Sequence, residues 1–517
     1  MTTETRHEVP SPREDHEEPK KYRSNVRPAP YRIPSAPPIA WAPGNSKRRA
    51  WLSRIVLFGL LIMQAILTLR LRNTVYEGET SILPSNGDFH GGTALYPALS
   101  EAVQTALGVQ GMRAFSLIFM ICATGLLYSF STRLFNERVG LAAAGSYSVI
   151  APTLVAGALA TEDALAVLLL AGAMWLVVLS RSGPAWPLFA AAPVAVLAVA
   201  VKYGAVFYLP SILLLAVLVT TRHTSVGQAF VRSSGLLVAL LIGLGLYASG
   251  ASGAPAAVPL GDLASGWIYW LGTFLAFGLF GAGFYIWKAR MGEVPVGADA
   301  EPGRGWRVAL SLAFLLPGLI APLLLVGTAF EDSLWRLQFA FAGLLGATMT
   351  GVGLVRMIGR HFRFPQVGII AAIALLALGM AQSEYEYTLW PNYTNLAKVL
   401  DESVEPAGKY LAASPEETFS SYMKEYRPAQ WTSLSTVVDK GLDDGGLAQI
   451  KGALRKGTYE MIVVQYPAAT PVDEALLAQL RAGTGDYRVL TGVPFRLGWT
   501  VGAHQLWVKN LAGPAAP

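Results

Sequence analysis

Residues 47–70 read KRRAWLSRIVLFGLLIMQAILTLR, a basic cluster followed by a stretch that is almost wholly apolar. A helix needs roughly 20 apolar residues to cross a hydrocarbon layer about 30 Å thick. Lys47, Arg48 and Arg49 stand where a bilayer favours cations, on the cytoplasmic flank of the span. Working outward, similar runs recur to residue 382, with starts near 51, 112, 139, 164, 185, 204, 233, 267, 308, 335 and 366. This pattern predicts a polytopic α-helical membrane protein with about eleven transmembrane helices. Lys202 interrupts the apolar stretch from 185 to 220. A charge at mid-bilayer costs roughly 2.5 to 3.5 kcal/mol, so Lys202 is expected at a turn between two short spans.

Composition agrees. Of 517 residues, 53% are hydrophobic and 14% charged, against about 25% charged in a typical soluble domain, which excludes an ordinary soluble enzyme. The net charge of +6 is carried by cations flanking apolar segments, with no basic stripe interleaved with aromatics, so no nucleic-acid partner is expected. The single cysteine, Cys122, lies inside an apolar run and reads as a packing residue. Residues 1–50 are rich in Pro, Glu, Arg and Lys and are expected to form a disordered cytoplasmic tail. The first apolar run, preceded by so much polar chain, is expected to be a retained anchor.

Orientation follows from the connections. Arg133 and Arg138, Arg181, Arg222 and Arg232, then Lys288, Arg290, Arg304 and Arg307, and finally Arg356, Arg360 and Arg363 all fall on alternate connections, the same side as Lys47 to Arg49. The positive-inside rule then predicts a plasma-membrane protein with its N-terminus cytoplasmic and its C-terminus outside. The exterior connections are 71–111, 160–163, the Lys202 turn, 251–266 and 329–334. Beyond residue 383 hydropathy falls. Residues 383–517 are expected to form a small extracytoplasmic α/β domain, with strands at 459–466, 486–491 and 504–509 and helices near 394–404 and 473–482.

Acidic residues are rare between 51 and 380, so their positions are informative. Glu77 and Glu79 follow the first span and Glu162 and Asp163 open the fourth, all at the exterior interface. They are either solvated loop groups or carboxylates in a partly dry site, where desolvation raises basicity enough for general-base work. Thr161 is placed to cap the helix that Asp163 opens, which is the plain structural reading of that acid. Lys202 either snorkels to water or offers a point charge to a lipid phosphate. Arg336 and Arg113, at the exterior starts of two spans, could join it, since a phosphate calls for several cationic donors. Arg113 could equally pair with a carboxylate. His90 reads as a loop histidine: no second histidine has metal-ligand spacing, and no metal is expected.

These residues give the chain a family likeness. Asn73-Thr74-Val75-Tyr76-Glu77-Gly78-Glu79, Thr93-Ala94-Leu95-Tyr96-Pro97, Arg113, Arg133-Leu134-Phe135, Ala160 to Leu165, Lys202-Tyr203-Gly204 and Ser333-Leu334-Trp335-Arg336 together resemble the GT-C glycosyltransferases of the protein O-mannosyltransferase and aminoarabinose transferase type. The resemblance implies an enzyme moving a sugar from a polyprenyl phosphate to a glycan, lipid or protein acceptor on the exterior face, with inversion and without a nucleotide sugar; no cofactor is expected beyond the lipid-linked donor, with a divalent metal left open. It implies that a first-loop carboxylate, Glu79 or Glu77, takes the acceptor proton with Asp163 assisting, and that Glu162, Lys202, Arg336, Arg113 and Tyr96 bind substrate. Where relatives carry an aspartate in the first loop, this chain has Gly78. That departure keeps a second class in view, a non-catalytic protein on the same scaffold that binds lipid-linked sugar or supports a cell-envelope complex. A transporter is the third, and the one-sided placement of the acids argues against it.

Overall fold

The computed structural model describes residues 46–71, 73–76, 79, 95–181, 184–221, 226–248, 258–287, 303–326, 333–358, 366–413, 419–420, 422–438, 445–498 and 500–510. The expectations for residues 1–45 of the tail, for Glu77, Gly78 and His90, and for residues 80–94 of the first exterior loop lie outside these residues.

The helices follow the apolar runs in order. They are α1 (Ser46–Arg70), α2 (Leu95–Leu134), α3 (Glu137–Tyr147), α4 (Ala151–Ala158), α5 (Asp163–Leu179), α6 (Trp186–Val201), α7 (Leu209–Thr221), α8 (Val226–Ala248), α9 (Leu260–Trp267), α10 (Thr273–Trp287), α11 (Arg304–Leu319), α12 (Ala321–Leu325), α13 (Phe339–Ile358) and α14 (Gln366–Glu386). Among the described residues seven helical segments are long and apolar enough to cross a membrane, and α3 with α4 makes an eighth, bent by 64°. Helices α5 and α6, of 17 and 16 residues, are apolar but shorter. The chain is therefore a multi-pass membrane protein in which several of the expected spans are shortened or broken.

Each break has a local cause. Gly108 in α2 adopts φ +66°, open to glycine and strained for other residues, so Leu95–Leu134 is two helices joined at a corner. Pro152 enters the first turn of α4, where a missing N–H costs nothing but a continuous helix through it would lose a hydrogen bond. At Lys202 the backbone turns extended (φ −143°, ψ 113°), α6 ends, and a 3-10 turn over Tyr203–Tyr208 leads into α7. Lys202 thus sits in a break between two short helices. The cap of α5 differs from expectation: Glu162 occupies the N-cap position in helical conformation without a side-chain cap bond, and Thr161 lies outside it.

Helix α13 is the centre of the bundle, with every side chain from Phe339 to Leu354 buried. Lipid supplies no hydrophobic drive between helices, so close packing must come from small residues. A Cβ placed on Gly351 would lie 2.7 Å from Ala143 N and 2.8 Å from Val139 O, and one on Gly281 would lie 2.6 Å from Gly353 N. These are backbone atoms that cannot yield, so α13 touches α3 and α10 at backbone distance.

After Glu386 the chain becomes α/β, in a unit that also holds α15 (Thr394–Ser403), α16 (Leu434–Val437), α17 (Gly446–Lys456) and α18 (Pro471–Arg481). Its strands are β1 (Tyr410–Ala412), β2 (Trp431–Ser433), β3 (Met461–Tyr466), β4 (Tyr487–Leu497) and β5 (Thr500–Lys509), in the order β2-β1-β3-β5-β4. β1 is parallel to β2 and β3; β5 is antiparallel to β3 and β4. The three expected strands are β3, β4 and β5, with β4 longer than expected; β1 and β2 are three residues each, too short to carry a period.

His504 on β5 is fully buried between the rings of Tyr393 (5.0 Å) and Phe495 (4.5 Å), and burial pushes its pKa down to about 3. The unfolded chain takes up a proton near the usual value of 6.5 that the folded chain refuses. Stability is thus constant above that value and falls as pH drops from it towards 3, by at most ~1.4 kcal/mol per unit. Thermal unfolding from pH 8 to 4 should show this slope, and His504→Phe should flatten it. For the bundle, Gly351→Leu should cost about 1–3 kcal/mol or more, read as a lowered midpoint of heat inactivation in detergent micelles.

Candidate active site

At one end of the bundle, α1, α6 and α14 finish while α5 and the 3-10 turn Ser333–Gln338 begin. Of the ionisable residues singled out from sequence, Glu79, Tyr96, Arg113, Glu162, Asp163, Lys202 and Arg336 lie there. The extended segment after α1 is held by groups far away in the chain. Asn73 Nδ2 donates to the carbonyls of Tyr387 (2.8 Å) and Trp390 (3.2 Å). Trp390 Nε1 donates to Thr74 O at 3.1 Å, and the Tyr76 ring packs on Trp390 with centroids 5.0 Å apart. Tyr422, from beyond β1, accepts Val75 N–H at 2.9 Å through its hydroxyl, which burial holds in the protonated form above its usual range. The linker after the last span and the α/β unit therefore fix where the first loop leaves the membrane.

Glu79 is the hub. Its Oε1 accepts from Arg113 Nε (2.9 Å) and from Ala160 N (2.7 Å); its Oε2 accepts from Arg113 Nη2 (2.7 Å) and from Tyr76 N (2.9 Å). Arg113 also donates to Asn73 O (3.1 Å) and Thr74 O (3.3 Å). The side chains of Glu79 and Arg113 are 1% and 11% exposed. Both oxygens of this carboxylate are doubly engaged by protein donors. Of the two readings for Arg113, the carboxylate pair is the one present. Glu77 lies outside the described residues.

Through Ala160, Glu79 reaches the turn that leads into α5. There Lys202 Nζ lies 2.6 Å from Glu162 Oε1 and 3.5 Å from Asp163 Oδ2. Glu162 takes most of the lysine's charge, and Asp163, fully buried, is held only at the limit of hydrogen-bond reach. The Tyr96 hydroxyl feels the charges of Glu162, Asp163 and Glu79 and bonds to Ser116, so it belongs to the same cluster. Six of the eight residues marked from sequence are thus contiguous: Glu79, Arg113, Tyr96, Glu162, Asp163 and Lys202.

Arg336 has a separate partner. Its Nη1 contacts Glu386 Oε2 at 3.1 Å and Oε1 at 3.4 Å. Its turn is tied to the Lys202 turn, because a Cβ on Gly204 would collide with the Gln338 side-chain oxygen. Glu386, Tyr387 and Tyr422 escaped the sequence reading. Glu386 had a signal: it is an acid at the end of the last apolar run, the same kind of position that marked Glu79 and Asp163. Tyr387 and Tyr422 had none, since their contacts span more than 300 positions. Among the described residues no group of three or more His, Cys, Asp or Glu could hold a metal ion.

Residues 98–247 match the family described as dolichyl-phosphate-mannose-protein mannosyltransferase. The fold superposes on ArnT from Cupriavidus metallidurans with a TM-score of 0.51 at 12% identity, covering 91% of this chain and 100% of that one. The match to the family model is confined to residues 98–247, and the likeness to ArnT is one of fold. Weaker superpositions reach the Archaeoglobus fulgidus oligosaccharyltransferase tethered with an acceptor peptide (TM-score 0.47, 11% identity, 88% of this chain and 74% of that) and the mycobacterial arabinofuranosyltransferase AftD (0.41, 12%, 90% and 42%). No curated protein sequence matches the chain.

Asn73→Ala strips two carbonyls of their donor and should destabilise the protein by about 1–3 kcal/mol. Asn73→Asp, which turns an acceptor towards both carbonyls, should cost more. Heat inactivation of the two variants side by side checks the order.

Proposed function

We propose that this GT-C protein transfers a sugar from a polyprenyl phosphate to an acceptor hydroxyl at the exterior face of the plasma membrane, N-terminus inside and C-terminal unit outside. The observation that carries the proposal is the cluster of Tyr96, Glu162, Asp163 and Lys202 around the Glu79–Arg113 pair, at the end of the bundle where the α/β unit docks. Carboxylates and cations side by side in a place poor in water suit a reaction that removes a proton from one oxygen while another leaves as an anion.

In this reading the acceptor oxygen bonds to the anomeric carbon from the side opposite the phosphate, the carbon–oxygen bond to the phosphate breaks, and the configuration inverts. The acceptor proton passes to Asp163, the carboxylate least committed to partners. Lys202 and Arg336 balance the phosphate dianion that departs with the polyprenol. Glu79 holds Arg113, the first loop and the Ala160 turn in register, and Glu162 and Tyr96 position Lys202 and the acceptor. The reaction as written draws on no metal or further cofactor.

The full engagement of Glu79 favours one competing reading, a binding protein without catalysis. A single set of variants separates the two. With a radiolabelled polyprenyl-phosphoryl sugar and membranes from cells lacking the native gene, Asp163→Asn should lower label transfer by about 10²–10⁴-fold at unchanged protein level. Glu79→Gln should instead lower stability by about 3–5 kcal/mol, because it leaves the Arg113 charge unmatched. Full transfer by Asp163→Asn, Glu162→Gln and Lys202→Gln alike removes the catalytic assignment.

A further inference from the structure

The three cations of the site are all paired with carboxylates, and the pairs differ in how firmly they are closed. Arg113 is 11% exposed and grips both oxygens of Glu79, which two backbone N–H groups hold as well. Lys202, 13% exposed, has Glu162 at 2.6 Å and Asp163 at 3.5 Å. Arg336 is 29% exposed and meets Glu386 through Nη1 alone, at 3.1 and 3.4 Å, while Glu386 itself is 4% exposed. Coulomb attraction weakens with distance and with access to water, so of the three this last pair opens at least cost.

We infer that Glu386 is an internal stand-in for the phosphate: it occupies Arg336 while the site is empty and gives the guanidinium up when a phosphate monoester arrives. A planar guanidinium receives a carboxylate or a phosphate through the same N–H edge, so the two anions exclude one another there. Neighbouring groups give the exchange a fixed setting. Glu386 ends α14 one residue before Tyr387, whose carbonyl is bonded by Asn73, so its backbone is tethered to the first loop. Tyr385 packs its ring at 6.3 Å and 66° to Tyr269, and Gln382 donates to Tyr269 O, so the last turn of α14 is held against the α9–α10 connection. The Arg336 turn rests on Gly204, two residues from Lys202. Phosphate released from competition at Arg336 therefore arrives next to the lysine.

This inference rests on the proposed polyprenyl-phosphate reading, but its test reads binding rather than transfer. The full-length protein is placed in nanodiscs and titrated with a polyprenyl monophosphate, with inorganic phosphate, and with the dephosphorylated polyprenol. Glu386→Gln removes the competing charge and should tighten the polyprenyl monophosphate about tenfold, with little change for the polyprenol. Tightening of inorganic phosphate by the same factor identifies the phosphate group as what Glu386 mimics. Arg336→Gln should abolish the gain when combined with Glu386→Gln, and Glu386→Asp should bind like the native protein. Should Glu386→Gln and the native protein, matched in heat stability, bind the monophosphate equally, the stand-in role is wrong while the transfer reaction is untouched. If the native protein transfers sugar yet the double variant retains the tighter binding, Arg336 is not where the exchange occurs.

Discussion

Glu79 and Arg113 face each other where the bundle is almost dry, and the rest of the site is arranged about that pair. An isolated buried carboxylate would lose far more hydration than the fold could replace. Here two guanidinium contacts and two backbone N–H groups replace it. Because those donors come from the first loop, from α2 and from the turn before α5, satisfying one anion fixes three otherwise independent segments. Arg113 spends its remaining donors on the carbonyls of Asn73 and Thr74, which extends the constraint to the linker that follows the last span.

The electrostatics of the site follow from that arrangement. A cation already matched by four-fold coordination of its partner is part of the architecture. Lys202 instead lies between two carboxylates, Glu162 at 2.6 Å and Asp163 at 3.5 Å. The α/β unit contributes by position: Tyr422 reaches back to Val75, and Tyr393 donates its N–H to Thr74 Oγ1 at 3.3 Å. The α/β unit and the membrane bundle are thereby joined through the segment that leads into Glu79.

Much of this was legible beforehand for physical reasons. A bilayer forces long apolar runs and sorts charges to their ends, so the helices, their order and the one-sided clustering of acids could be read from spacing alone. Lys202 could be placed at a break because a charge inside a span is costly. What escaped depends on contacts between residues distant in sequence. Glu79 stood in the right place for a base, but its neighbours Ala160 and Tyr76 supply donors through backbone groups that side-chain identity does not advertise. Strands β1 and β2 exist because β3 offers an edge, not because three residues carry a pattern. Thr161 had the chemistry of a cap, but the helix begins one residue later, with Glu162 at the N-cap position.

Helix α13 carries a consequence for biogenesis. It is apolar enough to partition into lipid, yet its hydroxyls also find partners on other helices: Thr348 with Ser131 of α2 at 2.9 Å, and Thr350 with the Phe274 carbonyl of α10 at 3.2 Å. Its glycines, tuned to neighbouring backbones, would face acyl chains too bulky and mobile to fill them. Synthesis delivers α2 and α10 before α13, so the receiving groove exists by the time this last central piece leaves the insertion machinery.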